Sequence, residues 1–507
     1  MSIKRILSFF LILSLVLIPL VGCKKDDDED TQDDLGDDEF SGSISGADVE
    51  GGDDEQTTEP PVETPPIGEG NATDVVEIRT ADDLKKINRK GTYTLINDID
   101  LTGVDFSPLG TYNYPFEGTF DGNGKKLINL KISSTSADTG PALTFQYTYA
   151  GLFGVTKNAT IKNLTIESAD ISASSTTEFF FVSSGAIVGY SINTAFENCS
   201  VVSGKIYAKS KYFNSYSGSI SGIMQGGKVT NSVTSATVET DDSENRASSG
   251  GIAGYSFEGT VLDHCTSMDT VKAVSSYGIA YAAGLVGNAR SIQATACRSE
   301  ATVYAEVVNM SASNGTSGAA TAGGLFAVIS AGSDTSKSTV TRCYAVEKEV
   351  VAKGNDNSVY AGGIAAKIRH TDFKDCYSRC NVTASSDTKL VYAASAFAEI
   401  IGSDSSTSDF SIKGCFATGN VSATNKNPAY VYIGTFCAYP KELNATKTVK
   451  VAFSKSATYT INGNAPESLA KNGLEIAQAS FTLSLISNTL GWNVSEWETV
   501  SGIISAK

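Results

Sequence analysis

The sequence predicts an all-β chain, a parallel β-helix (β-solenoid) of about ten coils with short helical caps at both ends. The first observation is a recurring glycine-bracketed apolar cluster, as in Gly151-Leu152-Phe153-Gly154, Gly185-Ala186-Ile187-Val188-Gly189 and Gly284-Leu285-Val286-Gly287. Each is followed ten residues later by an Asn-Cys-like pair, here Asn163-Leu164, Asn198-Cys199 and Ala296-Cys297. The second is spacing. The second member of that pair falls at Leu130, Leu164, Cys199, Ser232, Cys265, Cys297, Cys343, Cys376, Cys415 and Ser454, most steps being near 33 residues. The third is composition: the units are rich in Val, Ile, Thr, Ser and Tyr, broken by Gly and Asn, with no 3.6-residue periodicity. Repeats of fixed period bury their apolar faces against their neighbours, and strands stacked ~4.8 Å apart do this as successive coils.

The N-terminus reads as an export address. Lys4 and Arg5 precede an apolar run from Ile6 to Leu20, too short for a confident membrane span, and residues 1–22 are assigned as a signal peptide. Leu20-Val21-Gly22-Cys23 resembles a bacterial lipobox, which implies lipidation of Cys23 and attachment to a membrane through acyl chains. Residues 23–70 form an acidic stalk. Positions 24–70 carry 18 acidic residues against Lys24 and Lys25, a net of −16; with +2 from residues 1–23 and −17 overall, residues 71–507 carry only −3. So charged and apolar-poor a segment is expected to be an extended linker. An acidic run behind a lipidated cysteine is similar to the export tags of surface lipoproteins in Bacteroidetes-like bacteria. The expected location is therefore the cell envelope, outer membrane and surface-exposed. Nucleic acid is not an expected partner.

Residues 71–130 read as an N-terminal cap and first coil. Thr80-Ala81-Asp82-Asp83 is a capping box opening a short helix with Leu84 and Ile87 on one face. The sheet is expected from Tyr93 to Ile99, and Asp121-Gly122-Asn123-Gly124 reads as a hairpin-like turn. Residues 131–460 hold the repeats. Leu152, Ile187, Ile220, Ile252, Leu285, Leu325 and Ile364, with Ala150, Gly185, Gly218, Gly250, Ala283, Gly323 and Gly362 two residues earlier, form a period-two pair expected to face inward. Asn163, Asn198 and Asn231 stand where the chain must turn, and Asn tolerates the left-handed conformation of a corner. Three late coils carry extra residues at one corner, giving an expected raised edge at Gly332 to Lys337, Gly402 to Asp409 and Lys441 to Thr446. Residues 461–507 read as a C-terminal cap: a helix from Pro466 bearing Leu469 and Ile476, then Phe481, Leu485, Leu490, Trp492 and Trp497.

With its lead-in Phe116-Glu117-Gly118-Thr119-Phe120-Asp121-Gly122-Asn123-Gly124, the repeat resembles the GLUG-motif family, named for a Gly-Leu-x-Gly core like Gly284-Leu285-Val286-Gly287. The resemblance covers most of the mature chain. It implies an exported bacterial surface protein, in a family that includes adhesins and the non-catalytic portions of immunoglobulin A peptidases. Ala361-Gly362-Gly363-Ile364-Ala365-Ala366 and Ala394-Ser395-Ala396-Phe397-Ala398 depart from the motif by losing glycines.

Candidate chemistry is sparse. Cys199, Cys265, Cys297, Cys343, Cys376 and Cys415 share one position per coil, which predicts a buried thiol column; disulfides such as Cys265 with Cys297 or Cys343 with Cys376 are the other reading. Cys380 and Cys437 carry no assignment. His264 and His370 are the two histidines, and with neither His-Glu-x-x-His nor Cys-x-x-Cys present no metal site is expected. Asp98 and Asp100 are the best carboxylate pair for the rival reading of a polysaccharide-degrading β-helix enzyme, with turn and capping roles as the alternative. No catalytic residue or cofactor is assigned. Tyr216, Tyr281, Tyr360 and Tyr392 share one place, with Thr148, Ser183, Ser248 and Thr321 there in other coils. On a straight strand they face the core; on a strand bulged at the glycines they form an aromatic strip suited to sugar rings or a protein. The expected function is an adhesive or ligand-binding solenoid that engages a host or matrix glycan or protein. A spacer without its own ligand is a third reading.

Overall fold

A computed structural model describes residues 74–136, 146–177, 180–242, 244–309, 318–331, 337–346, 348–401, 410–440, 448–449, 451–454, 456–466, 474–476, 482–500 and 503–507. Cys23, the acidic stalk and nearly all of the expected raised edge lie outside the described residues.

One coil, taken from Phe180, shows the plan. Phe180–Gly185 is face one, Val188–Ile192 face two, Ala195–Glu197 face three and Ser200–Ser210 face four. Each strand pairs in parallel with its counterparts in the coils before and after, so the faces become long parallel sheets: nine strands in faces one and two, twelve in face three. The chain is a β-solenoid. Inside it runs one continuous core of Leu, Ile, Val, Phe, Ala and Cys side chains. Face four shows solvent a polar surface with cross-coil ion pairs such as Lys126–Glu167 (2.8 Å) and Lys205–Glu239 (2.6 Å).

The corner between faces three and four works as the asparagines predict. Asn163, Asn198 and Asn231 adopt φ of 51°, 53° and 49°, and His264, Ala296, Arg342 and Asp375 continue the row in the same left-handed conformation. Asn198 Nδ2 donates to Asn163 Oδ1 (3.2 Å), and Asn163 Nδ2 to Asp121 Oδ1 (3.0 Å), tying one coil to the next. The register corrects both ends of the repeat count. Thr165 pairs with Lys126, so Leu164 has Lys125 opposite it and not Leu130; Phe416 pairs with Ala452, so Val451 and not Ser454 follows Cys415. Asp121-Gly122-Asn123-Gly124 is this same corner and not a hairpin: Thr119–Asp121 and Lys126–Ile128 pair with different strands. The sequence motif is shared because both turns need left-handed residues.

At the N-terminus the capping box is formed, Asp83 N donating to Thr80 Oγ1 (3.2 Å) and Thr80 N donating to Asp83 Oδ2 (3.1 Å), and it opens the helix Ala81–Leu84. Leu84 and Ile87 are buried in the core. The sheet starts earlier than expected, with Val75–Ile78 alongside Thr92–Leu95. At the C-terminus Leu474–Ile476 is a strand paired with Ala452–Ser454, where a helix was expected; Leu469 and Phe481 lie outside the described residues. The helix is Leu483–Leu490, and it packs against the outer side of face four together with Trp492 and Trp497.

Candidate functional site

Faces one and two meet at a two-residue turn, Ala186-Ile187 in the coil above, and close on each other across their outer sides. Ser183 Oγ donates to the Gly189 carbonyl (2.7 Å) and Ser248 Oγ to that of Gly254 (2.8 Å), from face one to face two. The approach explains glycine at this place: a Cβ on Gly222 would lie 2.1 Å from Ser183 Oγ and 2.7 Å from Ser184 N. The result is a recess along the outside of the solenoid. Its face-one row, by strand register, is Tyr149, Ser183, Tyr216, Ser248, Tyr281, Thr321, Tyr360, Tyr392 and Tyr432.

The four predicted tyrosines take neither of the two expected positions. Val359 and Ala361 point into the main core, so Tyr360 between them points outward; Ala280 and Ala282 fix Tyr281, and Val391 and Ala393 fix Tyr392, in the same way. Yet all four are buried, because the recess closes over them. Tyr360 and Tyr392 pack with Ala366, Ala394, Ala398 and Ala438, a cluster separate from the main core. Glycine gives way to alanine in face two of these late coils. Tyr149, not Thr148, occupies the row in its coil, since Tyr149 pairs with Ser183 and Thr148 with Val182. The turn also reverses parity: Leu152, Ile187 and Ile220 face the core as expected, whereas Ala283 and Ala394 lie on the recess wall, in register with Gly185, Gly218, Gly250, Gly323 and Gly362. The small residues are small because two sheets touch there.

Face two contributes a row that the sequence pattern left unread, two positions past the inward strand residue: Val155, Tyr190, Ile223, Tyr255, Asn288, Val328, Lys367, Glu399 and Tyr439. It carries charge into the recess. Lys367 Nζ sits 3.9 Å from the centre of the Tyr360 ring and 3.5 Å from Glu399 Oε2, with both charged side chains at most 10% exposed. Arg246 lies 5.7 Å from the Tyr281 ring centre and against the Tyr216 hydroxyl, while Arg246 and Arg290 both bear on the Tyr255 phenol. The recess stays wet at its ends. At one, Tyr112 is 40% exposed and stacks on Tyr147 (6.1 Å) and Tyr190 (6.3 Å); at the other, Tyr430 and Tyr432 are exposed and Tyr432 stacks on Tyr392 (4.9 Å). Burial pushes the Tyr147, Tyr190 and Tyr216 phenols far above their usual range, so they stay neutral hydrogen-bonding groups.

No family model matches the chain. One curated relative is halomucin from Haloquadratum walsbyi, 31% identical across 20% of this chain; the chain spans 1% of the length of halomucin. Among solved structures, a candidate immunoglobulin A1 protease from Bacteroides ovatus aligns over 87% of this chain and 94% of its own at 16% identity, TM-score 0.32. A second chain, titled IgA1 Protease, aligns over 82% of this chain and 24% of its own at 13% identity, TM-score 0.34. At such scores the likeness says nothing about chemistry.

The other candidate residues have structural surroundings. Asp98 accepts the Lys126 amide, and Asp100 accepts from Thr102 N, Thr102 Oγ1 and Asn129 Nδ2, so both carboxylates hold turns. Hydrogen bonds from Thr102 and Asn129 keep the Asp100 carboxyl below its usual range. His264 is a corner residue, with Nδ1 2.8 Å from Asp263 and Nε2 3.0 Å from the Lys507 carbonyl; His370 is another left-handed corner residue. No group of metal-ligating side chains occurs among the described residues.

Cys199, Cys265, Cys297, Cys343, Cys376 and Cys415 do form one buried interior column, and Cys380 and Cys437 are buried too; all eight are free thiols. Burial pushes Cys199 up to about 12 and Cys380 to about 11. Buried neutral thiols react slowly. An Ellman titration of the native protein is expected to detect less than one of the eight described thiols, and all eight after unfolding in guanidinium; disulfides in the column would show as missing thiols in the unfolded sample.

Proposed function

We propose that this chain is a lipid-anchored, surface-displayed β-solenoid whose function is to bind a ligand, as an adhesin does, along its outer surface. The supporting observation is the recess between faces one and two, where tyrosines point outward and end in exposed rings at both mouths. Aromatic side chains that are not needed in the main core, held rigidly on a sheet, offer contact area at low entropic cost. The lipobox-like Leu20-Val21-Gly22-Cys23 and the acidic segment behind it support display on the cell envelope. The partner is a host or matrix glycan or protein.

An array of glycans and host proteins probed with the full-length protein is the test. Binding is expected, and it should weaken at least tenfold in a Tyr112→Ala, Tyr432→Ala double variant whose melting curve is unchanged, each ring contributing on the order of 1 kcal/mol. Deleting 332–337, 402–409 and 441–446 should leave melting nearly unaltered and shows whether the edge shares the ligand. Cys23→Ser should release the protein from the membrane fraction. An array without binders would overturn the reading.

A further inference from the structure

We infer that the C-terminal segment carrying Trp492, Trp497 and Lys507 is a proton-operated latch, held on the corner between faces three and four by His264 and Asp375 in acid and loosened as the pH rises. The inference is independent of the ligand-binding reading and concerns how one end of the solenoid opens.

The corner row is the first argument. In the early coils it is asparagine, at Asn163, Asn198 and Asn231, and Asn198 donates to Asn163 from coil to coil. From the next coil on, the same left-handed position holds His264, Ala296, Arg342, Asp375 and Gly414, with φ between 51° and 66°. Four of these five meet the C-terminal segment. His264 Nε2 lies 3.0 Å from the Lys507 carbonyl, Arg342 pairs with Glu496 at 3.2 Å, and the Gly414 carbonyl accepts from Trp492 Nε1 (2.6 Å). Asp375 meets Trp492 at Gly414, where a Cβ would lie against Asp375 Oδ1 and 3.1 Å from Trp492 Nε1. The row that ties coil to coil early in the chain thus holds the C-terminal segment later.

Protonation is the second argument. Both ring nitrogens of His264 face acceptors, Nδ1 the Asp263 carboxylate at 2.8 Å and Nε2 the Lys507 carbonyl. The imidazolium donates to both; the neutral ring has one N–H and gives up one of the two bonds. Asp375 is 6% exposed. The charged groups that bear on it are Lys374 beside it in the chain, Arg342 from the coil before and Glu496 from the C-terminal segment, and Arg342 is engaged by Glu496. Burial pushes Asp375 up to about 6 against the pull of Lys374 and Arg342, and Glu496 adds to the rise. Lifting the segment wets this carboxyl and takes Glu496 away, which returns Asp375 toward the ordinary value of about 3.9. A carboxyl that holds its proton more tightly when docked supports docking fully below about pH 4 and loses that support as the pH rises through 6; the second histidine bond is lost in the same direction.

Hydrogen exchange of the full-length protein in detergent, followed at pH 5, 6, 7 and 8 and corrected for the intrinsic rate of each amide, is the test. Peptides covering Trp497–Val500 and Ile503–Ala506 are expected to lose about tenfold or more in protection between pH 5 and pH 8, Asp375 alone accounting for about tenfold. The coils of Leu164 and Cys199 should lose less. His264→Asn and Asp375→Asn place at the corner the residue that earlier coils use there, and the double variant should flatten the profile of the C-terminal peptides. Should the double variant fail to fold, Asp375→Asn alone, matched in shape to the protonated carboxyl, must still remove the larger part of the slope. Protection of the C-terminal peptides that does not change with pH in the wild type, a fall that persists undiminished in the variants, or an equal fall in the coils of Leu164 and Cys199 would overturn the inference.

Discussion

Asp269→Ala is expected to destabilise the central coils by about 3–5 kcal/mol, the range for breaking a buried hydrogen-bonded charge. Asp269 is 1% exposed and sits inside the solenoid, where it accepts hydrogen bonds from Ser219 Oγ (3.0 Å), Ser267 Oγ (2.8 Å), Thr234 Oγ1 (2.5 Å) and the Ala236 amide (2.5 Å). Ser219, Thr234 and Ala236 belong to the preceding coil and Ser267 to its own, so one carboxylate ties two successive coils together. Removing it leaves four buried donors without their acceptor and a void in the core, and neither loss can be made good by water. Urea unfolding of the variant measures the loss; a change below about 1 kcal/mol would mean that the hydroxyls find other partners.

The same carboxylate sets a pH dependence. Burial pushes Asp269 up to about 6, against the pull of its four donors, and Asp242 up to about 7. An unfolded Asp titrates near 3.9, so the folded chain holds these protons more tightly; their stabilising contribution is complete below about pH 4 and lost as pH rises through 6 to 7. For Asp269 a shift of about two units corresponds to roughly 3 kcal/mol. Asp269→Asn should flatten this part of the urea midpoint against pH, and an unchanged profile would remove Asp269 as its source.

How much of this was legible depended on whether a residue's role repeats. The thiol column, the Leu152–Ile187–Ile220 row and the left-handed asparagine corner were readable because each coil restates them at a fixed step. The tyrosines were not, since their orientation depends on the two-residue turn, which reverses parity without leaving a mark in the alternation of residue types. Residues such as Asp269, Arg246 and Arg290 occur once each. A buried carboxylate, or a guanidinium over a ring, is visible only when other coils are placed around it. The clearest signal overlooked lay two positions beyond the inward strand residue, where Tyr190, Tyr255 and Tyr439 recur.

A Trp492→Ala, Trp497→Ala variant is expected to lose about 3–5 kcal/mol or more of local stability, the range for removing a buried aromatic, but to lose it in the late coils only. The late coils carry outward aromatics, Tyr344, Tyr377 and Phe416, stacked 4.9 and 4.8 Å apart on face four, which a soluble sheet cannot leave bare. The C-terminal segment covers them as a lateral clasp. Trp492 and Trp497 stack on each other at 4.2 Å and pack on that ladder, Trp492 Nε1 donates to the Gly414 carbonyl (2.6 Å), and Tyr377 Oη donates to the Ile504 carbonyl (2.6 Å). Arg342 pairs with Glu496 at 3.2 Å, and the antiparallel hairpin Trp497–Val500 with Ile503–Ala506 brings Lys507 back to His264. Because coils of a solenoid contact only their neighbours, freeing the clasp should raise hydrogen exchange from about residue 342 onward while the coils of Cys199 and Ser232 keep their protection. The uncovered ladder should also drive self-association, seen as a shift to larger species in size-exclusion chromatography. Uniform loss of protection along the whole chain would instead mean that the solenoid unfolds as one cooperative unit.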